Sequence, residues 1–352
     1  MDEPAQENLL LQEINQLKLK IGASQVPQGL KEKVDEMLTR LTRMAKYTGY
    51  TTEYEKISHY LDWVLALPWY KATKDTLDLT AARQIMDKHH YGMASVKERI
   101  LQYMAVLNLT LGKQEVSRAP ILCLVGLVGT GKTTFGYSLA EAMGRKFARI
   151  PFGGMGSSLD LRGQSRLHPD SEPGQVIKAL RRAGSNNPIM LLDEIDRVSD
   201  SSRADIMGVL VELLDPEQNA GFTDHYIDYP FNLSNVLFLA TCNNTTGIST
   251  AVLDRLEIIQ MPSYTDEEKI KIGELYILPK VLRECGLSTD NITIDATLWS
   301  KIVRPLGYDS GIRTLERTIE GICHKAAMLK VQGQGDHFYI NEQNFKQFLP
   351  TW

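Results

Sequence analysis

Lys132 and Thr133 close a glycine-rich run, Gly126-Leu-Val-Gly129-Thr-Gly131, in the spacing G-x-x-x-x-G-K-[ST]. Glycines let the chain turn tightly, so that successive backbone N–H groups point at one anion. The lysine adds a point charge for β- and γ-phosphates, and the threonine hydroxyl can ligand Mg²⁺. The context is right as well. Ile121-Leu-Cys-Leu-Val125 reads as a buried strand before the loop. Residues 132–143 read as a helix after it, whose N-terminus favours negative charge. The pattern implies a bound nucleoside triphosphate held by Gly126, Leu127, Val128, Gly129, Thr130, Gly131, Lys132, Thr133 and Thr134.

Four further constellations bear on what the triphosphate is for. Pro188-Ile-Met-Leu-Leu-Asp193-Glu194 puts two carboxylates at the tip of an apolar strand. Asp193 is placed to hold Mg²⁺ through water, and Glu194 to orient and deprotonate an attacking water. A glutamate there argues against the small-GTPase pattern, which orients water with glutamine. Val236-Leu-Phe-Leu-Ala-Thr-Cys-Asn243 ends another buried strand in an amide able to bond the γ-phosphate or that water, though a lone strand-end Asn also reads as a turn residue. Leu-Asp-Arg255 sits just before a strand, where pairing with Asp254 is an equal reading. Ser310-Gly-Ile-Arg313 opens a helix from which an arginine reaches the phosphates or simply meets solvent.

The elements that must position these residues form three stretches. Apolar residues at helical spacing mark helices near 7–21, 30–47 and 52–67, broken at 22–29 by Pro27 and its neighbours. They read as ordinary packing helices or as a neck holding subunits together. From 78 to 262, helices alternate with apolar strands at 121–125, 147–150, 189–192, 236–241 and 257–260. That alternation implies βαβ units and a parallel sheet with nucleotide at the carboxyl edge of the first strand. From 263 to 352 the pattern is helical, at 266–285, 295–303 and 311–331, with one short strand at 337–340. The expectation is an α/β nucleotide-binding domain followed by a small helical lid and preceded by a helical region over 1–77.

Composition sets limits. The 352 residues suffice for two or three packed units, and 43% hydrophobic content supports real cores. A net charge of −4 with no densely basic stretch argues against nucleic acid as the main partner. No apolar run reaches membrane-spanning length, and the polar start is not a signal peptide. Cys123, Cys242, Cys285 and Cys323 lack C-x-x-C spacing; Cys123 and Cys242 fall inside expected buried strands and read as small core side chains, and a reducing cytoplasm fits.

Phosphate loop, Asp-Glu strand end, strand-end Asn, Leu-Asp-Arg and Gly-Ile-Arg, in this order, resemble an AAA+ P-loop ATPase. Within that class the chain resembles the Lon family of ATP-dependent proteases. The resemblance rests on Leu210-Val-Glu-Leu-Leu-Asp-Pro-Glu-Gln-Asn219, Phe222-Thr-Asp-His-Tyr226, Asp87-Lys-His-His-Tyr-Gly92 and Tyr60-Leu-Asp-Trp-Val-Leu-Ala-Leu-Pro-Trp69. It implies Walker A, Walker B and sensor-1 roles for Lys132, Thr133, Asp193, Glu194 and Asn243. It makes Arg255 an arginine finger and Arg313 a sensor-2 arginine. His90, Tyr91 and Gly92 would flank the adenine, with Tyr264 and Ile272 closing over it. ATP and Mg²⁺ are the implied cofactors. The implied partners are a homo-oligomer (a hexameric ring), unfolded protein substrates and a Lon peptidase domain.

Departures from the family pattern shape two more expectations. The chain stops at Phe348-Leu-Pro-Thr-Trp352, where a Ser-Lys peptidase domain would begin, and no nucleophile signature occurs in it, so peptidase activity is not expected of this chain. In the substrate loop, the usual tyrosine and branched residue are replaced by His168 and Pro169 beside Asp170 and Glu172. The stretch 153–158 also lacks the family's charged residues. A non-proteolytic Lon-like regulator or scaffold is therefore the alternative reading. Leu127-Val128 replaces the usual Pro-Pro, which changes side chains rather than backbone donors.

Overall fold

Strands that are apolar on both faces have to be covered on both faces. The computed structural model, which describes residues 3–48, 52–110, 120–168, 170–304 and 311–350, meets that demand with two cores. Strand β1 (Ile121–Val125) shows the division at period two: Cys123 and Val125 enter one apolar cluster, Leu122 and Leu124 the other. The remaining strands are β2 (Phe147–Pro151), β3 (Ile189–Asp193), β4 (Phe222–Thr223), β5 (Pro230–Phe231), β6 (Leu237–Cys242), β7 (Leu256–Gln260), β8 (Ile292–Ile294) and β9 (Phe338–Ile340). The central sheet runs β2-β3-β6-β1-β7 with every pair parallel. All five carboxyl ends therefore share one edge. Ile189, Met190, Leu191 and Leu192 are each fully buried. At roughly 1.5–3 kcal/mol per buried apolar side chain, they fix the height at which the strand delivers Asp193.

The first core joins the sheet to the leading helices. Leu10, Ile14, Leu17 and Ile21 of the helix Glu3–Ala23 pack with Leu30, Val34, Leu38 and Leu41 of Gln28–Thr48, and with Tyr60, Leu61 and Val64 of Thr52–Ala66. The three helices expected at 7–21, 30–47 and 52–67 are thus present. Their apolar faces are buried within the chain. The Tyr60 hydroxyl donates to the Ile227 carbonyl at 3.0 Å. The Trp69 indole donates to Val64 O at 2.8 Å and its ring lies 5.0 Å from that of Phe231.

The second core joins the opposite sheet face to the C-terminal helices. Phe135 and Leu139 of the helix Lys132–Met143 share it with Ile272, Val281, Trp299, Ile302, Leu315 and Ile319. The expected helix at 266–285 is three pieces in line: Asp266–Ile272, a π-turn at Gly273–Ile277, and Leu278–Glu284. Pro279 is the reason, since it brings no N–H to an α-helical interior and tolerates only the start of a helix. The short strand expected at 337–340 pairs in parallel with a strand the pattern did not reveal, Ile292–Ile294. No helix among the described residues is long and apolar enough to cross a membrane. Cys123 and Cys242 are buried free thiols with sulfurs 3.8 Å apart.

Candidate nucleotide site

The parallel register brings the expected residues to one place. Val125 lies opposite Cys242, so the phosphate loop leaves β1 beside Asn243, and the Gly126 N–H donates to Cys242 O at 3.2 Å. The Lys132 ammonium donates to Asn243 Oδ1 at 3.0 Å and to the carbonyls of Gly126 and Leu127 at 2.6 and 3.0 Å. Burial holds its pKa below the ordinary lysine value, against the opposing pull of the Glu194 and Asp196 carboxylates. The Thr133 hydroxyl is 3.4 Å from both oxygens of Asp193. A hydroxyl and a carboxylate side by side are hard oxygen donors that fit Mg²⁺. Glu194 has a left-handed backbone, φ 57°, and sits at the strand tip next to them.

Side chains that carry no motif organise this edge. Thr241, fully buried one strand over, donates to Asp193 Oδ1 at 2.5 Å and accepts the Glu194 N–H at 2.9 Å. Arg149 of β2 donates to Asp193 Oδ2 at 2.6 Å, and Arg197 stands 3.6 Å from the Glu194 carboxylate. Asp196 accepts the backbone N–H of Asn243 at 3.1 Å, so the carboxylate three residues past Asp193 anchors the backbone from which the Asn243 side chain projects. Arg149 is the one charged residue in the otherwise apolar β2, which offered a clue to it. Thr241 had none, being one more small residue in an apolar run.

The lid meets the phosphate loop directly. The Ile312 N–H donates to Gly129 O at 3.2 Å. A Cβ on Gly311 would lie 2.4 Å from Val128 O, and one on Gly129, at φ +84°, would lie 3.1 Å from the Gly311 Cα. Only paired glycines allow that approach. Arg313 follows at once, its Cγ 3.5 Å from the same point above Gly129. Ser310 lies outside the described residues.

Of the residues expected around the base, Tyr264 donates to Thr130 O at 3.4 Å, and burial pushes its phenol up to about 12. His90 stacks on Phe135 with centroids 3.6 Å apart and bonds Ser138 at 3.1 Å, so its ring is enclosed rather than presented. Tyr91 is half-buried and edge-on to Tyr276 at 6.5 Å. Gly92 lies against Glu268 of the lid, and Ile272 is buried in the second core. Arg255 stands apart from this group. It bonds Asp215 at 3.1 Å and Ala251 O at 2.8 Å, and holds the Asp215 carboxyl below its ordinary range. Its partner is a member of the Leu-Leu-Asp-Pro run, which spacing did not suggest. His168 is exposed on the loop 163–174 beside Leu167, 91% exposed, while Pro169 lies outside the described residues. That loop and the leading helices border a cavity of about 1020 Å³ with Ile57, His59, Arg166 and Tyr226 in its wall.

His90 makes stability depend on pH. Burial first, and then the Lys97 ammonium, depress its pKa from 6.5 to about 4. The unfolded chain therefore binds the extra proton between those values, and the stabilisation present above pH 6.5 is lost as pH falls towards 4. Urea unfolding at pH 7 and pH 4.5 should show about 2–3 kcal/mol more loss for the wild type than for His90→Gln. Equal losses in the two proteins would remove His90 as the cause.

Sheet order, phosphate loop and lid together define an AAA+ ATPase. Comparison with known proteins places the chain more closely. Residues 122–264 match the family described as ATPase family associated with various cellular activities (AAA), and residues 283–338 match the Lon protease AAA+ ATPase lid domain. The chain is 43% identical over 91% of its length to a Lon protease of Desulforamulus reducens, and 41% identical over 96% to one of Lawsonia intracellularis. A Lon protease of Elusimicrobium minutum is 40% identical over 99% of the chain. These matches span 39%, 40% and 41% of the three relatives' own lengths. The chain belongs to the Lon family, as its AAA+ ATPase module.

Proposed function

We propose that the chain binds ATP with Mg²⁺, hydrolyses it, and couples the cycle to remodelling or translocating unfolded protein in a cytoplasmic, hexameric Lon-type ring. The observation that carries this reading is the contact of the lid's Gly311-Ile312-Arg313 with Gly129. Lys132, Thr133, Asp193, Glu194 and Asn243 gather at the same edge. In this reading Thr133 and Asp193 hold Mg²⁺, which when bound offsets charge on the phosphate oxygens. Glu194 takes the proton of the attacking water and Asn243 fixes that water or the γ-phosphate. Arg313 transmits phosphate contacts to the lid, whose closure and reopening move the parts of the ring. The units are taken as 1–77, 78–262 and 263–352, with the adenine between the 90–92 turn and Tyr264 and Ile272. ATPase assays with ATP and GTP, with and without casein, test the reading. ATP-selective turnover raised by casein supports it.

The alternative, a non-proteolytic regulator or scaffold, draws on the exposed His168 in place of the family's tyrosine. An imidazole buries less apolar area against a substrate side chain, although Leu167 beside it offers some. Restoring Tyr and Ile at positions 168 and 169 should increase casein stimulation several-fold, since a larger apolar pair grips any sequence better. Strong stimulation of the unaltered chain that the double substitution leaves unchanged favours a loop that already threads protein.

A further inference from the structure

Asp224 belongs to the run Phe222-Thr-Asp-His-Tyr226, which the nucleotide site does not use. It has no solvent exposure, and burial raises its pKa. A buried carboxylate is costly unless its oxygens are hydrogen-bonded. Asp224 accepts three backbone N–H groups: Tyr226 at 2.8 Å and Ile227 at 3.0 Å on Oδ1, and Gly174 at 2.7 Å on Oδ2. The first two close a local turn. The third donor is 50 residues away in sequence, at the far end of the loop that carries Leu167 and His168.

The near end of that loop touches the same carboxylate. A Cβ on Gly163, at φ +74°, would lie 2.8 Å from Asp224 Oδ2 and 2.7 Å from the Gly174 nitrogen. A Cβ on Gly174 would lie 2.0 Å from the Leu161 carbonyl oxygen. Two glycines thus cross against one buried charge, and no side chain fits at either. Beyond the crossing the Gln164 N–H donates to Glu172 O at 3.1 Å, and beside it the His225 N–H donates to Arg162 O at 2.7 Å. Arg166 adds a second tether, its guanidinium 4.0 Å above the Tyr60 ring.

We propose that Asp224 is a positioning residue, a clasp that closes both ends of loop 163–174 and sets how rigidly Leu167 and His168 are presented to a polypeptide. The part about presentation rests on the substrate-loop reading above. The chain connects the loop to the nucleotide edge: just past β2 the Phe152 N–H donates to Asp193 O at 2.9 Å, and the short helix Leu159–Arg162 then leads into Gly163. A loop with an open base would yield at its ends instead of pushing at its tip.

Asp224→Asn tests the clasp bond by bond. The amide oxygen can keep the Tyr226 and Ile227 donors, while the NH₂ faces the Gly174 N–H donor to donor. Hydrogen exchange across 163–174 should quicken about tenfold or more, the expected effect of losing a hydrogen bond to a charged group. Basal ATPase and KM for ATP should stay within about twofold, and maximal casein stimulation should fall at least about fivefold. Gly163→Ala, which drives a methyl into the same carboxylate from the other end of the loop, should reproduce the phenotype where it folds. If neither variant folds, the wild-type Gly174 amide carries the test: the clasp requires it to exchange at least about tenfold more slowly than the Leu167 amide, and equal rates overturn it. Exchange across 163–174 equal to wild type overturns the clasp. Faster exchange with casein stimulation unchanged leaves the clasp standing as loop closure and overturns the substrate-loop reading instead.

Discussion

Glu194→Gln is expected to bind ATP as the wild type does and to turn it over about 10²–10⁴-fold more slowly, the usual contribution of a positioned general base. The two side chains are nearly isosteric, so the phosphate loop, Lys132 and the Thr133–Asp193 pair are left alone. What changes is the ability to accept a proton from water. The backbone of Glu194 is held by its N–H to Thr241 Oγ1 at 2.9 Å and by a left-handed φ of 57°, a conformation costly for a side chain of this size. That strain aims the carboxylate away from the strand direction, toward Arg197 at 3.6 Å and alongside Gly153. Equilibrium binding of a fluorescent ATP analogue and single-turnover hydrolysis separate the two effects. Wild-type turnover in the Gln variant would refute the role given to Glu194, and lost binding would mean that the substitution disturbs the loop.

Why some of this edge is legible in sequence and some is not follows from how far each contact reaches. The phosphate loop and the Asp193-Glu194 tip are local patterns, each announced by an apolar run. Strands of a parallel sheet, buried on both faces, read as such runs, and the five central strands fall within a residue of their expected limits. The three leading helices show their buried faces through spacing alone. Thr241, Arg149 and Asp196 act across strands that are distant in sequence. Their partners depend on the order β2-β3-β6-β1-β7, which no local pattern encodes. The pairing of Arg255 with Asp215 spans 40 residues for the same reason. β8 escaped because three residues, Ile-Thr-Ile, are too short to display a period and gain their structure only from β9. Asp224 looked like one letter of a family signature; its burial against two glycines gives that letter a physical task.

Arg255→Ala is expected to bind nucleotide normally and to lose about 10³-fold or more in turnover, the range that arginine fingers contribute to phosphoryl transfer. Geometry argues that the site it serves belongs to another copy of the chain. Arg255 immediately precedes β7, and the Ile121 N–H donates to its carbonyl at 3.4 Å, so it lies at the amino end of β1. The phosphate loop leaves the carboxyl end of the same strand. Five residues of strand, on the order of 15 Å, separate the arginine from its own loop, too far for its side chain. Asp215 and the Ala251 carbonyl meanwhile hold the guanidinium in place at the rim of the sheet, with its side chain 31% exposed. An ion pair this open contributes little to stability, on the order of 1 kcal/mol or less, so the substitution should not unfold the chain. Specific activity of the wild type should rise with protein concentration as copies assemble. Arg255→Ala mixed with Glu194→Gln should recover part of the activity, because some interfaces then join an intact finger to an intact base. Specific activity that stays flat while the chain goes from monomer to assembly, together with an Arg255→Ala chain as fast as wild type, would show that hydrolysis is completed within one copy.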